Sequence, residues 1–391
     1  MTITVPESPQ VVTCQSTPDF LAALPRIIGF TTPNSLVAVR FAGRRSAQAI
    51  RIDLPAELPS IKFAGLIDTL IAALDSIDPE DGTRRSAAIA MITDVSFAQS
   101  DGIPWRQLAR HIDRRLPRAG WQLRELCCQA ADGWGSYADH ETPRLGSPLS
   151  DITSSPIALE EALQGTQFPS LADLGTIPEP DPERAAQVTA AFLKSDPVST
   201  HTDGWVAKAT QATRDLRGIS SAQQSHESPT PLSPYRTVRL AHALQHSDHW
   251  FVVALGILTR PEYPAELAQE LGHQYFTGIP VNADNEGRSG TRPGWSIHQL
   301  LLTLCAGFEE HSRLPPVQDR LRSAISESPR QQRTGLLTLS AWVWWLDGKQ
   351  SVAQQHVDAA LAISPNDELA IMVNTLIAAP SHAPTFVSRE A

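Results

Sequence analysis

The sequence of 391 residues is too long for a peptide or a small disulfide-stabilised protein, and at roughly 150 residues per domain it accommodates two or three domains. Apolar residues make up 41% of the chain and charged residues 19%, which indicates a globular protein. The 32 basic and 42 acidic residues give a net charge of −10, so the sequence argues against a protein that holds nucleic acid or anionic membranes through bulk positive charge.

The cysteines and the first residues of the chain indicate in which cellular compartment the protein is expected. No CxxC spacing occurs among Cys14, Cys127, Cys128 and Cys305, which we interpret as reduced thiols. The start of the chain has no secretory signal pattern, and the longest apolar run, Trp250–Leu258, is about half the ~20 residues that span a bilayer. We therefore expect a soluble cytoplasmic protein. No P-loop, GxGxxG or GxSxG motif occurs, so we predict neither a cofactor nor a bound metal.

Alternating strand and helix patterns fill the first part of the chain. Short apolar runs around Gly43 predict a β-hairpin over Ser35–Leu54. A helix is predicted over 63–74, a buried strand over Ala87–Thr93, a helix over Pro104–Leu116 and a strand over Trp121–Gln129. These elements predict an α/β domain with a mixed sheet, an opening hairpin and flanking helices.

The remaining chain is predicted to be helical. Prolines start helices over Pro156–Gln164 and Pro182–Lys194, and helical periodicity continues after the polar, proline-rich stretch Gly218–Pro234. We divide the chain into a flexible N-terminus (1–15), an α/β domain with covering helices (16–216), a linker (217–234), an all-helical domain (235–380) and a flexible tail (381–391).

The all-helical domain contains an internal repeat. LLTLCA at Leu301–Ala306 returns as LLTLSA at Leu336–Ala341, which predicts two helical hairpins near 297–330 and 334–367. The second hairpin resembles a tetratricopeptide repeat, with Gly348 after its first helix and Pro365 after its second.

This register predicts a partner-binding surface. It places Thr338, Trp342 and Trp345 of the second hairpin, with Glu310 and His311 of the first, on the concave side of the stack. Trp342 and Trp345 are three residues apart and share a helix face, where exposed tryptophans would anchor a partner. The alternative is that both rings pack inside the protein.

A second candidate site lies at the ends of the predicted strands. Ligands bind beyond the carboxyl ends of strands in open α/β sheets, and Asp53 and Asp94 follow two such strands. Arg51 shares a strand face with Asp53, and together with Ser35 these residues could line an acidic pocket. Both aspartates are equally typical of turns.

Two further clusters have simple structural interpretations. His242, His246 and His249 have the spacing of zinc ligands on one helix, but we interpret them as a solvated polar face. Arg106, Arg110, Arg114 and Arg118 form a basic stripe that could meet a phosphate or an acidic partner. We interpret the stripe as a solvated face that Asp113 partly pairs, with Pro117 ending the helix before Arg118.

Several motifs carry a family resemblance. LPxxxGF at Leu24–Phe30, SLV at Ser35–Val37 and RxDLP at Arg51–Pro55 resemble the opening of the actinobacterial domain of unknown function 4192 family, and the likeness continues through DGWGSY near Trp134 into the C-terminal part. The resemblance implies no established activity. Relatives carry cysteines after the Trp/Tyr loop that are absent from Tyr137–Pro148, so a metal or redox role based on them does not transfer.

Two functional hypotheses follow. The first is a protein-interaction or scaffold protein that binds a partner, or a second copy, through its helical repeats, with no membrane or nucleic-acid partner. The alternative is an enzyme or small-ligand sensor that uses the acidic pocket of the α/β domain. The sequence favours the non-catalytic hypothesis, because no catalytic motif accompanies the two aspartates.

Overall fold

The computed structural model describes residues 14–43, 45–54, 59–75, 85–139, 141–195, 204–219, 231–272, 275–276, 296–308 and 310–378. The chain divides into two compact units, and it passes from unit 1 to unit 2 between Leu174 and Gly175. Most of the predicted N-terminal tail, and all of the C-terminal tail at 381–391, lie outside the described residues.

Unit 1 combines strands and helices in the predicted order. Its strands are β1 (Ser35–Ala42), β2 (Arg45–Asp53), β3 (Ser86–Ile92), β4 (Gln122–Gln129) and β5 (Trp134–Ser136). Its helices are α1 (Thr17–Ile28), α2 (Phe63–Asp75), α3 (Phe97–Ser100), α4 (Arg106–Arg118), α5 (Ser150–Thr153), α6 (Pro156–Leu163) and α7 (Leu171–Leu174). The predicted α/β class is confirmed.

The strands form one mixed sheet in the order β2-β1-β3-β4-β5. β1 pairs antiparallel with β2 and with β3, β3 pairs parallel with β4, and β4 pairs antiparallel with β5. The opening hairpin is therefore confirmed, and the segment around Trp134 forms the edge strand β5. Because β1 runs opposite to both neighbours, its first residue lies beside the last residues of β2 and β3.

Helices cover both faces of the sheet. Successive side chains of a strand point to opposite faces, so Leu36 and Ala38 join the core with α2 and α4, whereas Val37 and Val39 join the core with α1 and α6. Both cores are fully buried, and they fix the position of β1 in the centre of unit 1.

The ends of two helices differ from expectation. α1 was not predicted, although Ser16 and Asp19 form a capping box with distances of 3.3 and 3.1 Å between each side chain and the other backbone amide. The prediction that α4 ends before Arg118 is wrong. Pro117 lies in the last turn of α4, which closes because the Ala119 N–H donates to the Arg115 carbonyl at 3.1 Å.

Every regular element among the described residues of unit 2 is helical, which confirms the predicted all-α region. The helices are α8 (Pro182–Lys194), α9 (Trp205–Arg217), α10 (Pro234–Ala243), α11 (Ser247–Leu258), α12 (Tyr263–Leu271), α13 (Ile297–Ala306), α14 (Leu314–Glu327), α15 (Thr334–Leu346), α16 (Gln350–Ile363) and α17 (Glu368–Ala378).

The unit boundary differs from the boundary at 217–234 that the sequence suggested. α8 packs on α10 and α14, and α9 packs on α10 and α11. The side chain of Arg184 on α8 also pairs with the buried Glu327 of α14, with 2.6 Å between Nε and Oε1. Because these helices bury apolar side chains such as Val188 and Leu216 against later helices, they belong to unit 2.

The two repeated segments pack differently. α15 and α16 form a close helical hairpin, whereas α13 packs on α11 and α14 packs on α15. α15 is buried along nearly its whole length, with neighbours that include α10, α14, α16 and α17. It is therefore the central helix of unit 2, and a helix that is apolar all round is suited to that position.

Gly335 allows α15 to approach the preceding helices. A Cβ atom built on Gly335 would overlap the backbone carbonyl oxygen of Leu244. We expect Gly335→Ala to lower the free energy of unfolding by about 1–3 kcal/mol in urea titrations, because the Leu244 backbone must move. Gly65→Ala on α2 is the control, since a Cβ there meets nothing within 4 Å. Equal losses in both variants would contradict the close approach.

None of the described helices combines the length and the apolar character that crossing a membrane requires.

Candidate functional site

Residues from three strand ends meet at one edge of the sheet in unit 1. Ser35 at the start of β1 lies opposite Asp53 of β2 on one side and Ile92 of β3 on the other. Asp94 follows β3 two residues later. The structure thus brings the predicted residues to the same edge, and we call them, with their contacts Thr32 and Asn34, the sheet-edge cluster.

Arg51 is the centre of the sheet-edge cluster. Its Nε donates to the hydroxyl oxygens of Thr32 and Ser35, each at 2.9 Å, and its Nη2 pairs with the carboxylate of Asp53. The side chain of Arg51 is 12% exposed, whereas that of Asp53 is 75% exposed. The mostly buried guanidinium is fixed by these contacts and holds an exposed carboxylate at the rim of the cluster.

The two hydroxyl groups hold Arg51 and are not arranged for nucleophilic chemistry. Thr32 Oγ1 and Ser35 Oγ lie 2.6 Å apart, both side chains are buried, and Ser35 Oγ donates to the Pro33 carbonyl at 2.7 Å. An activated serine needs a general base, such as a histidine, a carboxylate or a lysine, to accept its proton. A backbone carbonyl is not such a base, so this geometry does not support a serine nucleophile.

Asn34 connects β1 to the end of β3. Its Nδ2 donates to Asp94 Oδ2 at 2.6 Å, and its Oδ1 accepts the Asp94 backbone N–H at 2.9 Å. Asn34 has a φ of 39°, in the left-handed region that asparagine tolerates better than most residues, and its carbonyl accepts the Leu54 N–H at 2.8 Å. Asp94, the second exposed carboxylate of the cluster, is therefore held by the neutral side chain of Asn34.

The charge of the sheet-edge cluster is negative. The cluster contains one guanidinium, that of Arg51, and two carboxylates. Asp53 ends β2 and Asp94 follows β3, the two strands on either side of β1. Neighbouring strands are ~4.8 Å apart, so the strands that carry them are about 10 Å apart. Among the described residues no three His, Cys, Asp or Glu side chains are grouped as metal ligands. The cluster is complementary to a ligand that carries hydrogen-bond donors or a positive charge.

The predicted tryptophan anchors lie in the core of unit 2. Trp342 is 0% and Trp345 2% exposed, and the Trp342 ring contacts the ring of Trp250 edge to face, with 5.6 Å between centroids. Thr338 is also buried, and its hydroxyl donates to the Thr334 carbonyl at 2.9 Å. These three side chains therefore do not form an exposed surface, because α15 is covered on all sides.

Glu310 and His311, the other two predicted partner contacts, lie beside the end of α15. Glu310 is exposed and pairs with Arg313. His311 is partly buried, with its Nδ1 4.0 Å from the Asp347 carboxylate. The structure does not combine these residues with the buried tryptophans into one surface.

The histidine cluster is not the solvated helix face that the sequence analysis predicted. The helix breaks at residues 244–246, so His242 lies on α10 and His249 on α11, and both are buried. The ring of His242 contacts Phe192 at 5.5 Å, and that of His249 stacks on Trp205 at 4.7 Å. Burial lowers the pKa of His242, and it lowers the pKa of His249 to about 4. Both histidines are therefore core residues.

Thr32 and Asn34 were not predicted as members of the site. Both lie in the short connection TTPN before β1, where no periodic pattern marks their side chains. A signal was present, since asparagine after proline and directly before a strand is a common turn residue.

Comparison with known proteins yields one match. The model of a family described as domain of unknown function (DUF4192) matches residues 18–250, which include all of the sheet-edge cluster, the helices α8, α9 and α10, and the first turn of α11. The region after residue 250, which holds the repeated segments, lies outside this match. No curated protein and no solved structure matches the chain significantly.

Proposed function

The chain belongs to the family of the domain of unknown function DUF4192, and from its own geometry we propose that unit 1 binds a small polar ligand at the sheet-edge cluster. One observation carries this proposal. Two exposed carboxylates, Asp53 and Asp94, flank β1 at the same sheet edge, and each is held by an internal donor, Arg51 or Asn34. Side chains fixed in this way lose little conformational entropy when a ligand binds.

The chemistry of the cluster suggests the class of ligand. Carboxylates accept hydrogen bonds, and the separation of about 10 Å between the strands that precede them suits a small molecule with two amine or hydroxyl groups about that far apart or less. The absence of a base at Ser35 Oγ supports binding as the role of this edge. A sensor or carrier of an amine or polyol is therefore the function that we favour for unit 1.

A thermal-shift and calorimetric screen of the full chain against diamines and polyols tests this function. We expect at least one compound to raise the melting temperature of wild type, and Asp53→Asn and Asp94→Asn to weaken its binding about tenfold or more, since each variant removes one charged acceptor. Asp113→Asn is the matched control, because Asp113 is an exposed carboxylate on α4 of the same unit. Absence of any binding compound, or equal binding by all three variants, would refute the proposal.

An interaction role for unit 2 is our second proposal. It is supported by exposed apolar side chains on two helices that pack together, since Leu193 of α8 is 85% exposed and Tyr235 of α10 is 72% exposed. Light scattering after size exclusion would compare wild type with the double variant Leu193→Ser and Tyr235→Ser. A wild-type dimer that the double variant loses would support self-association, and monomers in both cases would exclude it at that concentration.

We also propose a reducing, cytoplasmic setting for the protein. Cys127 and Cys128 on β4 and Cys305 on α13 are free, buried thiols. Burial raises the pKa of Cys128 and of Cys305 to about 12, so both are protonated and unreactive at neutral pH. Structural thiols of this kind are typical of proteins that are not exposed to an oxidising compartment.

A further inference from the structure

The outer side of α4 is a dense cationic surface on an acidic protein. Leu108, Ile112 and Leu116 of this helix are buried in the core of unit 1. Arg106, Arg110, Arg114 and Arg118 are exposed, and we call them the arginine face. A rise of 1.5 Å per residue places them ~6 Å apart over about 18 Å.

The arginine face is not neutralised within the described part of the chain. Arg115, the fifth arginine of α4, pairs with Asp68 of α2 and also donates to the Ala64 carbonyl. No ion pair joins the arginine face to a carboxylate of the described residues, and this includes Asp113, which the sequence analysis expected to pair with it. Like charges four residues apart destabilise a helix by about 0.2–0.5 kcal/mol per pair. Repulsion within the arginine face therefore slightly destabilises α4, and no ion pair among the described residues offsets this repulsion.

A cleft adjoins the C-terminal end of the arginine face. Ile71 of α2, Ala119 and the side chains of Arg115 and Arg118 line a space of about 370 Å³. Its lining combines two apolar side chains with two guanidinium groups. The cleft is open to solvent, so an apolar side chain of a partner could contact Ile71 and Ala119 while the partner's carboxylates lie beside the guanidinium groups.

We propose that the arginine face binds an acidic helical segment of a partner protein. Glutamates at four-residue spacing on such a helix would also be ~6 Å apart and would match the four arginines along the same length. An apolar side chain at the end of that segment would enter the cleft beside Ile71. This proposal is independent of the ligand site at the sheet edge.

The observations favour a peptide over nucleic acid. A nucleic acid carries a charge at every nucleotide along its whole length. More of its charge than that of a short acidic segment therefore lies past the arginine face, next to the rest of a chain of net charge −10. The apolar part of the cleft has no counterpart in a phosphate backbone. A short acidic segment needs only the local field of four arginines, which salt screens over about 8–10 Å.

Fluorescence polarisation with the full chain tests this surface. The probe is a labelled alanine-based helical peptide with four glutamates at four-residue spacing and a terminal leucine. We expect binding that weakens with added salt, and a loss of about tenfold or more for the double variant Arg110→Glu and Arg114→Glu, since like charges then face each other. Lys194→Glu with Lys208→Glu is the control, because it makes the same charge change at exposed positions of unit 2.

A second comparison tests the cleft separately. We expect Ile71→Ser to weaken binding of the peptide with terminal leucine. Binding of a peptide with terminal alanine should not change. A single-stranded oligonucleotide of equal charge serves as competitor. The proposal is overturned if the peptide does not bind, if the arginine variant binds it as wild type does, or if the oligonucleotide binds the arginine face more tightly than the peptide.

Discussion

We expect the Trp342→Ala variant to lose about 3–5 kcal/mol of the free energy of unfolding of unit 2. The ring is fully buried in the centre of α15 and contacts the buried ring of Trp250. Its removal leaves a cavity that the neighbouring helices can only partly fill, because α15 is enclosed by α14, α16 and α17. Most of a marginal stability would be lost.

Urea unfolding followed by circular dichroism, with hydrogen exchange of α15 peptides, measures this loss. Tyr235→Ala is the control, because its side chain is 72% exposed and surface substitutions change stability by about 0.5 kcal/mol or less. A Trp342→Ala variant of wild-type stability would show that the ring lies at the surface in solution. Lost partner binding by this variant is informative only if the fold is shown to persist.

The burial of Trp342 could have been predicted from the sequence, but the internal repeat led to a different prediction. The helix Thr334–Leu346, TGLLTLSAWVWWL, contains no charged residue, and a helix with no polar face is a central one. The repeat register instead assigned a concave side to it. Spacing within one helix defines its faces, but which helices cover those faces depends on other parts of the chain, here on α17 and on the distant α10.

The strands of the sheet could be predicted from the sequence more completely than the contacts of the sheet-edge cluster. Alternation in SLVAVRF and the apolar run AAIAMI specified β1 and β3 within a few residues, because the period of two is a local property. The contacts of Arg51 with Thr32 depend on the antiparallel pairing of β1 and β2 and on the positive φ of Asn34. Pairing and loop conformation have no periodic signal, so the sequence indicated Asp53 and Asp94 but not the residues that hold them.

The prediction for the histidine cluster was wrong for a local reason. The apolar residues between Leu240 and Leu258 have the spacing of a single helix, and no glycine or proline marks the break at 244–246. The break changes the direction of the chain and brings His249 onto the ring of Trp205. The same burial that corrects the prediction gives unit 2 a dependence on pH.

Acid is expected to destabilise unit 2 through His249. Burial, followed by the nearby His246 and Lys208, lowers the pKa of His249 from 6.5 to about 4 in the folded protein. The unfolded chain binds this proton below about pH 6.5, whereas the folded unit does not bind it until about pH 4. The stabilisation is therefore complete above pH 6.5 and falls as the pH drops toward 4, with a loss of about 3 kcal/mol from this residue.

The measurement is the free energy of unfolding in urea between pH 4 and 8. His249→Phe keeps a ring against Trp205 and removes the titration, so its stability should fall less steeply with acid than that of wild type. His111→Phe, at an exposed position on α4, is the control and should keep the wild-type slope. Burial also lowers the pKa of His242, His298 and His356, so His249→Phe retains part of the acid sensitivity. The difference between the slopes of wild type and His249→Phe therefore measures the contribution of His249, and identical slopes would show that folding does not lower the pKa of this histidine.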